Sequence, residues 1–263
     1  NSYIGTSVEK WLLKEPDKYK IETIDMKDGS WKEKDFSAYD VVFHVAGIAH
    51  VKETKKNQEL YFQVNRDLAY ETAQKSKADK VRQFIFLSSM SVYGIENGII
   101  NRKTKVNPKS AYGKSKVDAE KLINDLYDDS FIVTILRPPM VFGKGCKGNY
   151  PRLVGLALKL PIFPKVDNKR SMIYIDNLSE FVKQLIDNKS GGLFFPQNAE
   201  YVNTWEMVKL IAAVHGKKVK GTKLFNPILR FLNLKTINKV FGDLVYDIIL
   251  SEYKSDYRIY TLY

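Results

Sequence analysis

Asp40-Val41-Val42-Phe43-His44-Val45-Ala46-Gly47 is the stretch on which the fold turns. Its apolar residues run on almost without a break, the mark of a strand covered on both faces and hence of a parallel sheet. The same grammar recurs downstream. Val81-Arg82-Gln83-Phe84-Ile85-Phe86-Leu87 and Phe131-Ile132-Val133-Thr134-Ile135-Leu136 read as further buried strands, the second stopped by Pro138-Pro139. Helical spacing over 56–77 and 110–126 separates these strands, and Lys20-Ile21-Glu22-Thr23-Ile24-Asp25 reads as another strand ahead of them. Strands alternating with helices predict an α/β fold, a doubly wound parallel sheet of Rossmann type with helices on both faces. Ligands of such sheets gather at the carboxyl ends of the strands, so chemistry is expected there.

Beyond about residue 138 the pattern changes. Prolines at 151, 161 and 164 punctuate a loop-rich stretch. A helix near 176–188, a strand near 192–196 and a helix over 204–215, closed by Gly216, follow. Residues 1–145 are expected to form a nucleotide-type domain, and 146–263 a smaller substrate-binding lobe interleaved with it. The segment near 171–188 is expected to return to the first domain.

With 263 residues, 44% of them apolar and 27% charged, the chain can bury a sizeable core without staples, and wholesale disorder is excluded. Cys146 is the single cysteine, which rules out an internal disulfide; no Cys/His cluster suggests structural zinc, and no metal is expected. A net charge of +12 favours anionic partners: nucleic acid, a membrane surface or a phosphorylated small molecule. No aromatic-interleaved basic motif or helix-turn-helix accompanies the charge, so nucleic acid is not expected. No apolar run is long enough to span a bilayer, and a cytoplasmic location is the expectation. Basic and apolar residues alternate over 217–241. That segment is either a helix packing on the core or a surface-seeking element giving weak peripheral membrane association.

Two constellations carry chemistry. Tyr112 and Lys116, four apart, share one face of a helix, where an ammonium would stabilise phenolate and bring the tyrosine towards the working range of a general base. Leu87-Ser88-Ser89-Met90-Ser91-Val92-Tyr93-Gly94 lies where a buried strand ends, with hydroxyls able to donate to a developing oxyanion. Ala46-Gly47 and Arg137-Pro138-Pro139 mark two further strand ends. None of the three histidines (His44 in the core, His50 beyond a strand end, His215 closing a helix) has an acidic partner at triad spacing.

Together these stretches resemble the extended short-chain dehydrogenase/reductase superfamily, in its NAD-dependent epimerase/dehydratase branch, typified by 4-epimerases of UDP-glucose and UDP-N-acetylglucosamine. The resemblance also rests on Tyr3-Ile4-Gly5, Asp25, Val64-Asn65, Ser110-Ala111-Tyr112-Gly113-Lys114-Ser115-Lys116, Leu136 to Gly143 and Arg170-Ser171-Met172-Ile173-Tyr174-Ile175-Asp176-Asn177. It implies Tyr112 as acid/base, Lys116 as its partner and ribose ligand, and Ser89 as the catalytic hydroxyl, assisted on the substrate by Ser91. It assigns Tyr3, Ile4, Gly5, Asp25, Ala46, Gly47, Asn65, Ser88 and Pro139 to the NAD site, with Asp25 selecting NAD over NADP. Asn149 and Arg170 would hold the diphosphate of a UDP-sugar, Arg170 through its guanidinium fork.

The chain departs from the family's pattern in its glycine-rich fingerprint, where Gly5 alone remains of three and no strand precedes it. It therefore reads as part of a longer product, its first strand missing, and is expected to bind NAD poorly. The resemblance implies C4 epimerisation of a UDP-hexose or UDP-N-acetylhexosamine through a 4-keto sugar, in a homodimer serving polysaccharide biosynthesis. The alternatives are an NAD(P)-dependent keto-reductase or dehydratase and a catalytically silent binding protein. Met90-Ser91, where a 4,6-dehydratase carries Asp-Glu, argues against the dehydratase.

Overall fold

The computed structural model describes residues 2–49, 51–224, 226 and 240–262. His50 and most of the basic segment within 217–241 therefore lie outside the described residues. In chain order the elements are helix α1 (Tyr3–Leu12), strand β1 (Val41–His44), helices α2 (Gln58–Phe62) and α3 (Leu68–Ala78), strands β2 (Gln83–Leu87) and β3 (Gly98–Ile100), helix α4 (Ala111–Asn124) and strands β4 (Ile132–Leu136) and β5 (Met140–Phe142). Helix α5 (Asn149–Lys159), strands β6 (Ile162–Pro164) and β7 (Met172–Tyr174), helix α6 (Ile175–Asp187), strand β8 (Gly192–Phe194), helix α7 (Thr204–Val214) and strands β9 (Lys220–Thr222) and β10 (Leu244–Tyr246) complete them.

The central sheet has the order β1-β2-β4-β8, parallel throughout, with Phe43 opposite Ile85 and Ile85 opposite Thr134. Its two faces are covered by different helices, as near-continuous apolar strands require. On one side Phe84, Phe86, Val133 and Ile135 pack with Ala73 of α3 and Ala119 and Ile123 of α4. On the other Ile85 and Leu136 join Val8 and Leu12 of α1 and Leu178, Phe181, Val182 and Leu185 of α6. A separate cluster, holding Leu153, Ala157, Phe163, Trp205, Val208 and Ile211, joins α5, β6 and α7.

One strand expectation fails. Residues 20–25 form no ladder, and among the described residues β1 pairs in the sheet with β2 alone. Alternating apolar residues provide a strand's side chains, but a strand also needs a neighbour for its amides. The 56–77 helix is interrupted by a π-helical turn, Gln63–Asp67, between α2 and α3, and buried inside it is Asn65.

Candidate functional site

The site forms where β1, β2 and β4 end against the first turns of α4. Ser110 caps that helix by accepting the Gly113 amide at 3.1 Å, which places Tyr112 and Lys116 on its sheet-facing side. After β2 the chain turns at once: Ser89, extended, caps the short 3₁₀ turn Met90–Tyr93. The Ser89 hydroxyl accepts the Ser91 amide at 3.1 Å and donates to the Ser91 hydroxyl at 3.1 Å, and it lies beside the Tyr112 phenol. Ser89, Ser91 and Tyr112 are thus brought together.

Burial pushes the Tyr112 phenol above its ordinary value, and the Ser89 hydroxyl offsets part of this. The expected lowering by Lys116 is absent from this geometry. The Lys116 ammonium instead donates to the Leu87 carbonyl at 2.8 Å and lies 4.6 Å from the Phe86 ring centre. Desolvation brings Lys116 down to about 8, against the opposing pull of the Glu120 carboxylate.

The cofactor-side residues divide. Asn65, fully buried, accepts the Ile48 amide at 2.7 Å, and its amide donates to the Ile48 carbonyl at 3.1 Å and the Ser115 hydroxyl at 3.2 Å. It clamps the loop after β1 to α4 rather than presenting a free amide. Gly47 lies in that clamp: a Cβ there would stand 2.9 Å from Asn65 Oδ1 and 3.5 Å from Lys116 Nζ. At Gly5 a Cβ would meet Val45 at 2.8 Å, so its bareness lets α1 lean on the end of β1 beside Ala46. Ser2 caps α1 on the Gly5 amide, and no acidic residue occupies the first turn at Tyr3 and Ile4. The Tyr3 hydroxyl is buried without a hydrogen-bond partner, and burial pushes it well above its ordinary value. Asp25 is exposed, accepting the Lys27 amide at 3.1 Å. Pro139 is buried beside Pro138, whose carbonyl accepts the Met90 amide at 3.0 Å.

Ser88 corrects the expectation for its side chain. It is 3% exposed and turned inward, its hydroxyl donating to Glu120. Glu120 in turn accepts two bonds from Arg137, Nε at 2.9 Å and Nη2 at 2.6 Å, while Arg137 Nη1 donates to the Tyr93 hydroxyl at 2.9 Å. Burial works against the Arg137 charge, but Glu120 more than compensates and holds the guanidinium above its ordinary value. This buried pair, directly beneath Lys116 on α4, was not anticipated. Glu120 lies four residues after Lys116 and so on the same buried face, which was the available signal.

The substrate-side residues lie further out. Asn149 opens α5, exposed, behind a Gly148 with φ +96°. Arg170 is half-buried between Val202, with which it exchanges two backbone hydrogen bonds at 2.9 Å, and the Gly242 carbonyl, to which Nη1 donates at 2.9 Å. Burial draws its guanidinium below the ordinary value, partly opposed by Asp243. Among the described residues no group of three or more His, Cys, Asp or Glu could hold a metal ion, and no helix is long and apolar enough to cross a membrane.

Residues 5–194 match the family described as "NAD dependent epimerase/dehydratase family". A UDP-glucose 4-epimerase of Vibrio cholerae is 33% identical over 81% of this chain and 68% of its own length. The N-acetyl-alpha-D-glucosaminyl-diphospho-ditrans,octacis-undecaprenol 4-epimerase of Escherichia coli O157:H7 is 27% identical over 64% of this chain and 52% of its own. The chain thus spans roughly half to two thirds of these curated relatives. Among solved structures, a UDP-glucuronic acid 4-epimerase from Bacillus cereus with NAD superposes with TM-score 0.66 at 20% identity, over 89% of this chain and 77% of that one. A dTDP-4-dehydrorhamnose reductase from Bacillus anthracis with NADP gives 0.69 at 17%, over 92% and 95%. At these identities the structures share the fold alone. Matched over most of its length, and by a relative one-third identical, the chain belongs to the NAD-dependent epimerase/dehydratase family.

Proposed function

We propose that the protein epimerises a UDP-hexose or UDP-N-acetylhexosamine at C4 through a transient 4-keto sugar. The observation that carries this reading is the placing of Tyr112 beside the Ser89–Ser91 hydroxyl pair, with Lys116 one helical turn on, at the carboxyl end of the sheet. NAD, when bound, supplies a hydride acceptor that returns the hydride to the other face of the sugar, so the net redox change is zero.

The residues present fit that cofactor. The uncharged first turn of α1 offers the Tyr3 and Ile4 amides to a pyrophosphate, the Gly5 amide being held by Ser2, and the bare Gly47 lets Asn65 and Lys116 close in behind the loop that would face it. Ala46, Asn65 and Pro139 would support that wall, Asp25 would take the adenosine ribose, and Lys116 the other ribose. Ser88 would act from beneath, through Glu120. Tyr112 would take the proton of the C4 hydroxyl and return it, Ser89 and Ser91 donating to the same oxygen. In this geometry burial favours the protonated phenol, the form that donates to the keto oxygen; taking the first proton needs the phenolate, which a cation brought beside it would favour. Asn149 and Arg170 would hold the substrate diphosphate.

The division into a cofactor domain, 1–145, and a lobe, 146–263, with 171–188 returning to the first, belongs to the same reading. So do a homodimer, a cytoplasmic location, a role in polysaccharide biosynthesis and weak peripheral membrane association through 217–241. NAD-loaded protein given UDP-glucose or UDP-N-acetylglucosamine should form the C4 epimer, detected by proton NMR, without net consumption of NADH or NADPH. Tyr112→Phe should abolish turnover while leaving NAD binding intact. Stoichiometric oxidation of NADPH on addition of a nucleotide 4-keto sugar, with no epimer formed from either UDP-sugar, would transfer the reading to a keto-reductase.

A further inference from the structure

The positive charge of the chain is concentrated in two segments. Residues 149–166 hold three basic and no acidic side chains, and 207–242 hold eight basic and no acidic, leaving 31 basic against 30 acidic for everything else. The fold brings the described parts of these segments together. Strand β6 pairs with β9, Ile162 opposite Lys220, and the Lys165 amide donates to the Thr222 carbonyl at 2.7 Å. Lys217 Nζ donates to the Leu158 carbonyl at 2.9 Å, closing the end of α5 onto the turn after α7. Beneath them the cluster around Phe163 and Trp205 fixes both helices.

The outer surface of this unit combines lysines with bare aliphatic side chains. Lys159, Lys165, Lys217, Lys218, Lys220 and Lys223 are exposed. So are Leu156, Leu160, Ile162, Val214 and Leu224, the last two at 83% and 77%. We infer that this face, formed by the end of α5, β6, the end of α7 and β9, docks on an anionic phospholipid surface. Lysine ammonium groups on long stems meet lipid phosphates while the aliphatic side chains enter the interfacial layer.

Two other occupants fit less well. Nucleic acid is gripped by arginine forks and stacked aromatics, whereas the exposed groups here are lysines and aliphatics. A second copy would set lysine against lysine across a two-fold axis, a costly juxtaposition. The inference rests on the peripheral-association part of the proposed function and not on the reaction, and it moves the contact onto residues outside the stretch 225–239.

Co-sedimentation tests it, with vesicles of phosphatidylglycerol and phosphatidylcholine, or of phosphatidylcholine alone, at salt of about 0.05 M and about 0.5 M, which shortens the screening length several-fold. The protein should bind the anionic vesicles at low salt, bind neutral ones at least tenfold more weakly, and release at high salt. Lys217→Glu/Lys218→Glu/Lys220→Glu should cut binding at least tenfold, and Val214→Ser/Leu224→Ser several-fold, with the circular dichroism spectrum unchanged. If the wild type binds and both variants bind equally well, this face is not the contact, though peripheral association stands. No binding by the wild type at low salt overturns both.

Discussion

Arg137→Met tests the buried pair beneath the site. In the folded chain Arg137 makes two charge-assisted bonds to Glu120, at 2.9 and 2.6 Å, and a third bond to Tyr93. Glu120 is only 5% exposed, so the substitution strands a carboxylate whose remaining side-chain partner is Ser88. Breaking a buried ion pair from one side costs about 3–5 kcal/mol, because the surviving charge stays desolvated. Against a total stability of roughly 5–15 kcal/mol, that is a large part of what holds the fold. Urea unfolding at pH 7, followed by far-ultraviolet circular dichroism, measures the loss as a fall in midpoint. The companion variant removes the polar network together: Glu120→Leu with Arg137→Met and Ser88→Ala should recover stability to within about 2 kcal/mol of wild type, since neither charge of the pair is left without the other. A single-variant loss below about 1 kcal/mol, the value of an exposed pair, would refute the reasoning.

Two further outcomes follow from the same geometry. Asn65→Ala removes the acceptor of the Ile48 amide and the donors to the Ile48 carbonyl and Ser115, so it should cost about 2–4 kcal/mol in thermal or urea unfolding and speed amide exchange at Ile48; unchanged exchange there would show the clamp to be dispensable. His44 is 4% exposed and burial lowers it to about 3 from an ordinary 6.5. Between those values the unfolded chain takes up a proton that the folded chain refuses, so stability should fall as pH drops below about 6.5, by up to about 2 kcal/mol at pH 5. His44→Phe should flatten that dependence, and identical pH slopes in the two proteins would exclude His44 as its source.

Much of the sheet was legible because buried parallel strands need uninterrupted apolar runs: Asp40–Ala46, Val81–Leu87 and Phe131–Leu136 became β1, β2 and β4 within a residue or two. The helices over 110–126, 176–188 and 204–215 likewise became α4, α6 and α7. Residues 20–25 misled because pattern reports what side chains prefer, whereas a ladder depends on which backbone lies alongside. At the site, Tyr112 and Ser89 could be paired from motif and strand end. The inward turn of Ser88 was readable in principle, since successive residues of extended chain face opposite ways and Ser89 faces out. The partner of Glu120 was not, because Arg137 reaches it from a different strand. The π-helical turn that buries Asn65 also leaves no clear periodic trace: it inserts a residue into a helix whose polar and apolar spacing otherwise continues.

That turn bears on how the protein could be re-engineered. Asn65 ties Ile48, in the loop after β1, to Ser115, three residues past Tyr112 and one before Lys116. Grafting the loop of a relative to change how tightly a cofactor is held would therefore not be a local edit. The donor's Asn and its hydroxyl counterpart on the helix would have to travel with the loop, or the transplanted segment would settle at a different height above Lys116. The unit of exchange in this scaffold is loop, turn and helix together.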